Sequence, residues 1–360
     1  MRMIYQIPND DLRLADATAR AAEAAGFDGV VALENAHGPI PALSVAAMAT
    51  ERVQIGTAVM IAFPRSPTVT AHAAWDLNKA SKGRSYLGLG SQVKGHNERR
   101  YGIAWTPPAP RMRDYIGAVR AVWRAWEFEE PLDYHSDHYT LTLTTPNFAP
   151  RPLGLPPIPI AMSAVGPAML RVAGEVANGV RLHPFNTQRH IAEVCVPEIE
   201  AGLQRAKRGG GLGSARARSR IEVVAGGFLA TGANEAAVAR MSDYIRFRIA
   251  FYCSTRAYWS VLRLHGLEEL GLKLRPFPAQ GRWDEMAVQI PDEVLELFAI
   301  VGSHDVVADK IAERYGGLAD ALSLFIPTDT EPGPLAEIIQ DVKEIATPFQ
   351  NHASAWPSVV

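Results

Sequence analysis

Three short stretches of this chain gather residue types suited to acid–base or anion-binding chemistry. Glu34-Asn35-Ala36-His37 sets a carboxylate, an amide and an imidazole within four residues. Such a group could move a proton to or from a substrate, and the same residues also suit an Asx turn with a solvated glutamate. Gly88-Leu89-Gly90-Ser91-Gln92-Val93-Lys94-Gly95-His96 joins glycines, which let backbone approach a flat ring or a phosphate, to a second proton-exchanging histidine. Val93 stands where a dinucleotide fingerprint needs its third glycine, so a Rossmann reading fails. Ser163-Ala164-Val165-Gly166-Pro167 combines small residues with a helix start. Unbonded N–H groups and the helix dipole would favour an anion there, and an ordinary Ser163 N-cap is the alternative. His183 follows another apolar run, where a lone histidine serves packing as readily as chemistry. His135 and His138 have no third and fourth ligand at metal spacing, so the sequence implies no metal.

Those stretches all follow short apolar runs that read as strands. The runs are Met3–Gln6, Asp28–Leu33, Val53–Ile61, Ser85–Gly90, Pro157–Ala161, Gly179–Leu182, Ile221–Ala230 and Ala321–Ile326. Between them lie helical patterns, among them an alanine-rich helix capped by Asn9 or Asp10, Pro41–Thr50, Ser66–Ala80, Pro110–Trp126, Gln188–Arg208, Asn234–Ala250, Ala257–Gly266, Asp305–Tyr315 and Pro334–Ala346. Eight strands separated by helices predict an α/β protein of the (β/α)8 TIM-barrel class, as a single domain over residues 1–360. Leu132–Leu143 alternates with period two and reads as a hairpin insertion. A second, irregular insertion falls near residues 267–300, and Gly209–Ser214 reads as a linker. In such a barrel, chemistry belongs at the C-terminal ends of the strands, where the three stretches fall.

Composition narrows the partners. With 48% hydrophobic and 21% charged residues over 360 positions, the chain has material for a full core and is not intrinsically disordered. A net charge of −2 gives no electrostatic case for nucleic acid or an anionic membrane. The basic residues Lys207, Arg208, Arg216, Arg218 and Arg220 read as a solvated loop. Prolines break the longest uncharged runs, so no membrane span is expected. Two cysteines without a CxxC spacing, and an N-terminus without a secretory pattern, give a cytoplasmic expectation.

The combined pattern resembles the bacterial luciferase-like superfamily, and within it the oxidoreductases that use coenzyme F420. The resemblance rests on Glu34-Asn35-Ala36-His37, Ile55-Gly56-Thr57 with Arg65-Ser66-Pro67, Gly83-Arg84 and Leu87–Gln92. His96, Arg99-Arg100, Trp105, the Ser163–Pro167 turn and Ala250–Thr255 extend it over nearly the whole chain. It implies a non-prolyl cis peptide at Ala58–Val59 behind a deazaflavin ring. Asn35, Thr57, Ala58, Val59, Gly90, Ser91, Gln92 and His183 would line the cofactor. Ser163, Ala164, Val165 and Gly166 would hold its phosphate. His37 and Glu34, then His96, would handle the proton. The activity implied is hydride transfer that reduces an activated C=C or C=N bond of a small molecule or a modified peptide, by a homodimer. FMN with oxygen chemistry is the alternative cofactor reading, and a non-catalytic binding barrel is the third. Gly38-Pro39-Ile40 and Cys253 depart from the family pattern, which points to an altered pocket mouth.

Overall fold

The computed structural model describes residues 1–208, 218–325, 335–352 and 356. The linker Gly209–Ser214, Arg216, Ile326 and Pro334 lie outside them. Proline, glycine and capping residues set where the elements begin. Helix α1 (Leu12–Ala24) is capped by Asp11, whose carboxylate accepts the Arg13 N–H at 3.0 Å. The expected caps, Asn9 and Asp10, are not used, and Asn9 instead donates to the Leu33 carbonyl at 2.7 Å. Helix α2 is Ile40–Ala49, and α3 (Pro67–Ala80) starts on a Ser66 cap with proline in its first turn.

Strands β1 (Arg2–Gln6), β2 (Gly29–Ala32), β3 (Gln54–Thr57), β4 (Met60–Ile61) and β5 (Ser85–Gly90) precede a short helix α4 (Lys94–Arg99) and the long α5 (Pro108–Phe128). The expected continuous strand Val53–Ile61 is broken into β3 and β4, with a cis peptide at Ala58–Val59, where the resemblance puts it. The hairpin forms as β6 (Tyr134–His135) and β7 (Thr140–Leu141), paired antiparallel. Strand β8 is Ile160–Ala164, three residues later than expected. Pro156, Pro157 and Pro159 lack the N–H a ladder requires, so the strand starts only beyond them.

Further on come α6 (Pro167–Val176), β9 (Gly179–Leu182), and a helix that runs as α7 (Gln188–His190), a π-helical turn over Ile191–Cys195, and α8 (Val196–Arg208). Strand β10 (Glu222–Gly232) and α9 (Glu235–Cys253) follow. After α10 (Trp259–Leu264), the insertion holds α11 (Glu268–Leu274), α12 (Asp292–Phe298) and a strand the sequence reading missed, β11 (Ala299–Ser303). Helix α13 (Val307–Tyr315), β12 (Ala321–Phe325) and α14 (Ala336–Lys343) complete the described elements.

The chain divides into two compact units. One comprises residues 4–181, 198–223 and 349–360. In it β1, β2, β3, β5, β8 and β9 lie side by side in that order, and β4 pairs with β5. Register is fixed by pairs such as Val30↔Ile55, Ile55↔Ser85, Ile61↔Gly90 and Leu89↔Met162, all parallel. Parallel strands in register bring the exits of β2, β4, β5 and β8 to one edge. Buried Trp75, Trp123, Tyr115, Leu43 and Ile55 fill its core.

The second unit comprises residues 1–3, 182–197 and 224–348. Here β12 pairs with the start of β1 and with β10, and β10 also pairs with β11. Phe185, Phe228, Trp259, Met286 and Phe298 form its core, with the Phe185 and Phe298 rings stacked at 4.2 Å. Strands β1, β9 and β10 carry residues of both units. The parallel pairings run β1-β2-β3-β5-β8-β9-β10-β12 and return to β1, the eight-stranded (β/α)8 order expected, with β11 as an extra strand.

Candidate active site

Glu34 leaves β2 with its side chain only 8% exposed. Arg65 grips it with both terminal nitrogens, at 2.7 and 3.0 Å, and the Ile61 N–H donates to Oε2 at 2.7 Å. The same guanidinium donates to the Ile61 carbonyl at 2.8 Å. Three of the carboxylate's acceptor positions are thus taken, and Glu34 braces the end of β4. His37, three residues on, is exposed, and its ring makes no hydrogen bond among the described residues. Asn35 is exposed too, its side chain accepting the Ala36 N–H at 2.6 Å.

Thr57 closes the gap where β3 stops. Its hydroxyl donates to the Gly88 carbonyl at 2.6 Å and accepts the Gly88 N–H at 2.9 Å. At 1% exposure the side chain is a stitch between strands. The half-buried Ala58 and Val59 follow at the break. Gly90 completes the arrangement: a Cβ there would come within 2.6 Å of Val59 Cγ2 and 3.0 Å of Ser163 Oγ. Three residues named from sequence, Val59, Gly90 and Ser163, thus meet on one patch at the exits of three strands.

Gln92 takes the left-handed conformation, φ +58°, with its side-chain oxygen accepting the Val93 N–H at 2.9 Å. Ser91 beside it is half-buried. His96 lies on the exposed side of α4, with no ring hydrogen bond among the described residues. Ser163 and Ala164 are the last residues of β8 rather than loop, and Ala164 is buried. The cap of α6 is Gly166, which rules out the ordinary Ser163 cap. No side chain caps this helix, Pro167 has no N–H to offer, and a Cβ on Gly166 would meet nothing within 4 Å. Open backbone amides on a ten-residue helix suit an oxyanion.

His183 belongs to the second unit. Its ring packs between Tyr258, centroid 4.4 Å away, and Tyr252, 4.7 Å away and nearly perpendicular. Its Nδ1 accepts the Phe185 N–H at 3.1 Å, which leaves the proton on Nε2. Burial, with the positive charge of Arg248 behind it, pushes its pKa down to about 3. Histidine 183 is thus a fixed neutral group. Nearby, Cys195, His190 and Asn186 cluster with the thiol 3.5 Å from His190 Nδ1. Burial raises the Cys195 thiol to about 12, so this trio is packing and not a nucleophile. Among the described residues no group of three or more His, Cys, Asp or Glu could hold a metal, and no helix is long and apolar enough to cross a membrane.

A parallel barrel whose strand exits carry a small-residue patch, a buried Arg–Glu brace and an uncapped helix start defines a class of α/β-barrel proteins. The family it falls in is luciferase-like monooxygenase, which the chain matches over residues 3–321, and the protein belongs to it. A protein of Mycobacterium tuberculosis with no assigned activity is 40% identical over 332 residues, 92% of this chain and 95% of its own length. The 5,10-methylenetetrahydromethanopterin reductase of Archaeoglobus fulgidus is 27% identical over 301 residues, covering 82% and 83% of the two chains. In structure, the coenzyme F420-dependent tetrahydromethanopterin reductase of Methanopyrus kandleri superposes with a TM-score of 0.78 at 22% identity, over 95% of this chain and 98% of that one. The TIM-barrel fold with insertions follows from that likeness and the strand order together.

Sequence reasoning missed the partners. Arg65 lies 31 residues from Glu34, so no spacing rule joins them. Asn97, whose side chain donates to the Ser91 and Val93 carbonyls, was not singled out.

Proposed function

We propose that this protein is a coenzyme F420-dependent oxidoreductase that reduces an activated C=C or C=N bond. The observation that carries the reading is the meeting of Val59, Gly90 and Ser163 beside the Ala58–Val59 peptide. Glycine at residue 90 lets Val59 and Ser163 close onto the strand backbone, where any Cβ would strike both, and so shapes the surface they would present to a flat ring. Ala58 and Val59 would back the ring, Ser91 and Gln92 would flank it, and the amides following Gly166 would take its phosphate. When bound in reduced form, the cofactor supplies a hydride from C5 to the electron-poor carbon of the substrate. The protein's part is to hold that geometry, exclude water, and deliver a proton to the atom that gains the electron pair. We assign that proton first to His37, which is exposed and beside Glu34 on the loop after β2, and second to His96. The reductases among the relatives support the direction, and the substrate is a small molecule or a modified peptide. A homodimer is part of the same reading.

Titrating the purified protein with F420 and separately with FMN, by fluorescence and absorbance, tests it. Micromolar F420 binding with weak FMN binding supports the assignment. Preference for FMN moves the protein to oxygen-dependent chemistry, and binding of neither removes the cofactor reading.

A further inference from the structure

Helix α4 has no candidate catalytic role beyond His96, yet it is fastened to two of the loops just described. Asn97, 1% exposed, donates through Nδ2 to the Ser91 carbonyl at 3.0 Å and to the Val93 carbonyl at 3.2 Å. Those carbonyls flank Gln92, whose positive φ is unusual for a residue other than glycine. One amide therefore grips the chain on both sides of its least favourable residue. The amide orientation is set by its surroundings, since a flipped side chain would point its oxygen at two carbonyl oxygens. As oriented, Oδ1 is buried with no partner. At the helix end, Arg100 donates to the Asn35 carbonyl at 2.5 Å, in the loop that follows β2. The Asn35 N–H in turn donates to the His37 carbonyl at 3.3 Å.

We infer that α4 is a clamp, in which Asn97 and Arg100 are positioning residues that hold the Ser91–Val93 loop and the Asn35–His37 loop in one geometry. This inference rests on the cofactor reading for its functional consequence, though not for the clamp itself. Ser91 and Gln92 would flank the ring and His37 would deliver the proton, so the clamp sets the distance between ring and proton donor. A buried orphan acceptor is a feature a merely structural position would lose without harm. Replacing Asn97 by leucine loses the bonds to the Ser91 and Val93 carbonyls and so releases the loop, while Val93 keeps its backbone bonds from His96 and Asn97 and removal of the orphan oxygen offsets the loss.

The test uses the full chain with Asn97→Leu, Arg100→Met and Arg100→Lys, read by F420 titration, thermal melting and amide hydrogen exchange without cofactor. Asn97→Leu should weaken F420 binding about tenfold with a melting temperature close to that of the parent, and speed exchange at residues 91–93. Arg100→Met should speed exchange at residues 35–37 and lower turnover more than it weakens binding, with Arg100→Lys restoring part of both. Parent-like exchange in both loops overturns the clamp, as does loss of binding that tracks loss of melting temperature. If the parent binds no F420, the cofactor reading fails while the exchange data still decide the clamp.

Discussion

His37 and His183 both follow barrel strands, and a sequence gives them similar standing. In the first unit His37 sits on an exposed loop, its ring without a hydrogen bond among the described residues. In the second, His183 is wedged between two tyrosines, hydrogen-bonded through Nδ1, and held neutral. Identical side chains are therefore solvated and unpartnered in one place, and buried and fixed in the other. The difference teaches that position at a strand exit nominates a residue, while its desolvation and partners decide its chemistry.

The comparison can be broken first by acid. The folded pKa of His183 lies below its unfolded value near 6.5, so the unfolded chain takes up the proton first. Stability is full above pH 6.5 and falls as pH drops toward 3, by at most roughly 4–5 kcal/mol from this residue. His190 and His265, lowered chiefly by burial, add to the same slope. Urea unfolding of His183→Gln should show a shallower slope, and an unchanged slope would mean that the tyrosine cage does not hold His183 neutral.

Next in size is the brace. Arg65→Met leaves the Glu34 carboxylate buried without its partner, which should cost about 3 kcal/mol in chemical denaturation. A loss below 1 kcal/mol would show that Arg65 does little to hold the Glu34 carboxylate in place. His37→Ala should lower turnover by about 100-fold with little change in stability, the effect of losing a general acid. Turnover close to that of the parent would shift the proton to His96. Gly90→Ala is the smallest, about 1–2 kcal/mol in stability, because Val59 and Ser163 must give way to the new methyl. Its sharper readout is F420 affinity, which should fall by about tenfold.

Much of the fold was readable from the sequence, for reasons visible in particular elements. Ser85–Gly90 and Gly179–Leu182 are short apolar runs with turn residues at each end, and the strands match both spans. The start of β8 was misjudged because Pro157 and Pro159 look apolar but cannot donate to a ladder. β11 was missed because five residues directly after a helix carry no periodicity of their own. Caps were ambiguous where Asn9, Asp10 and Asp11 stand side by side, since only backbone geometry selects among them. In the site, residue identities were accessible and partnerships were not. Nothing local in the sequence says that Glu34 is bound by Arg65, or that Thr57 spends its hydroxyl on Gly88.

The bare start of α6 has a consequence for how long the protein lasts. α1, α3 and α9 carry a capping side chain, whereas α6 leaves its first amides to whatever anion arrives. A ligand that binds only the folded chain adds RT ln(1 + [L]/Kd), about 2.7 kcal/mol at a hundredfold excess over Kd. Resistance to proteolysis should therefore follow cofactor supply, and a cell short of the cofactor would hold less of this protein as well as less of its activity.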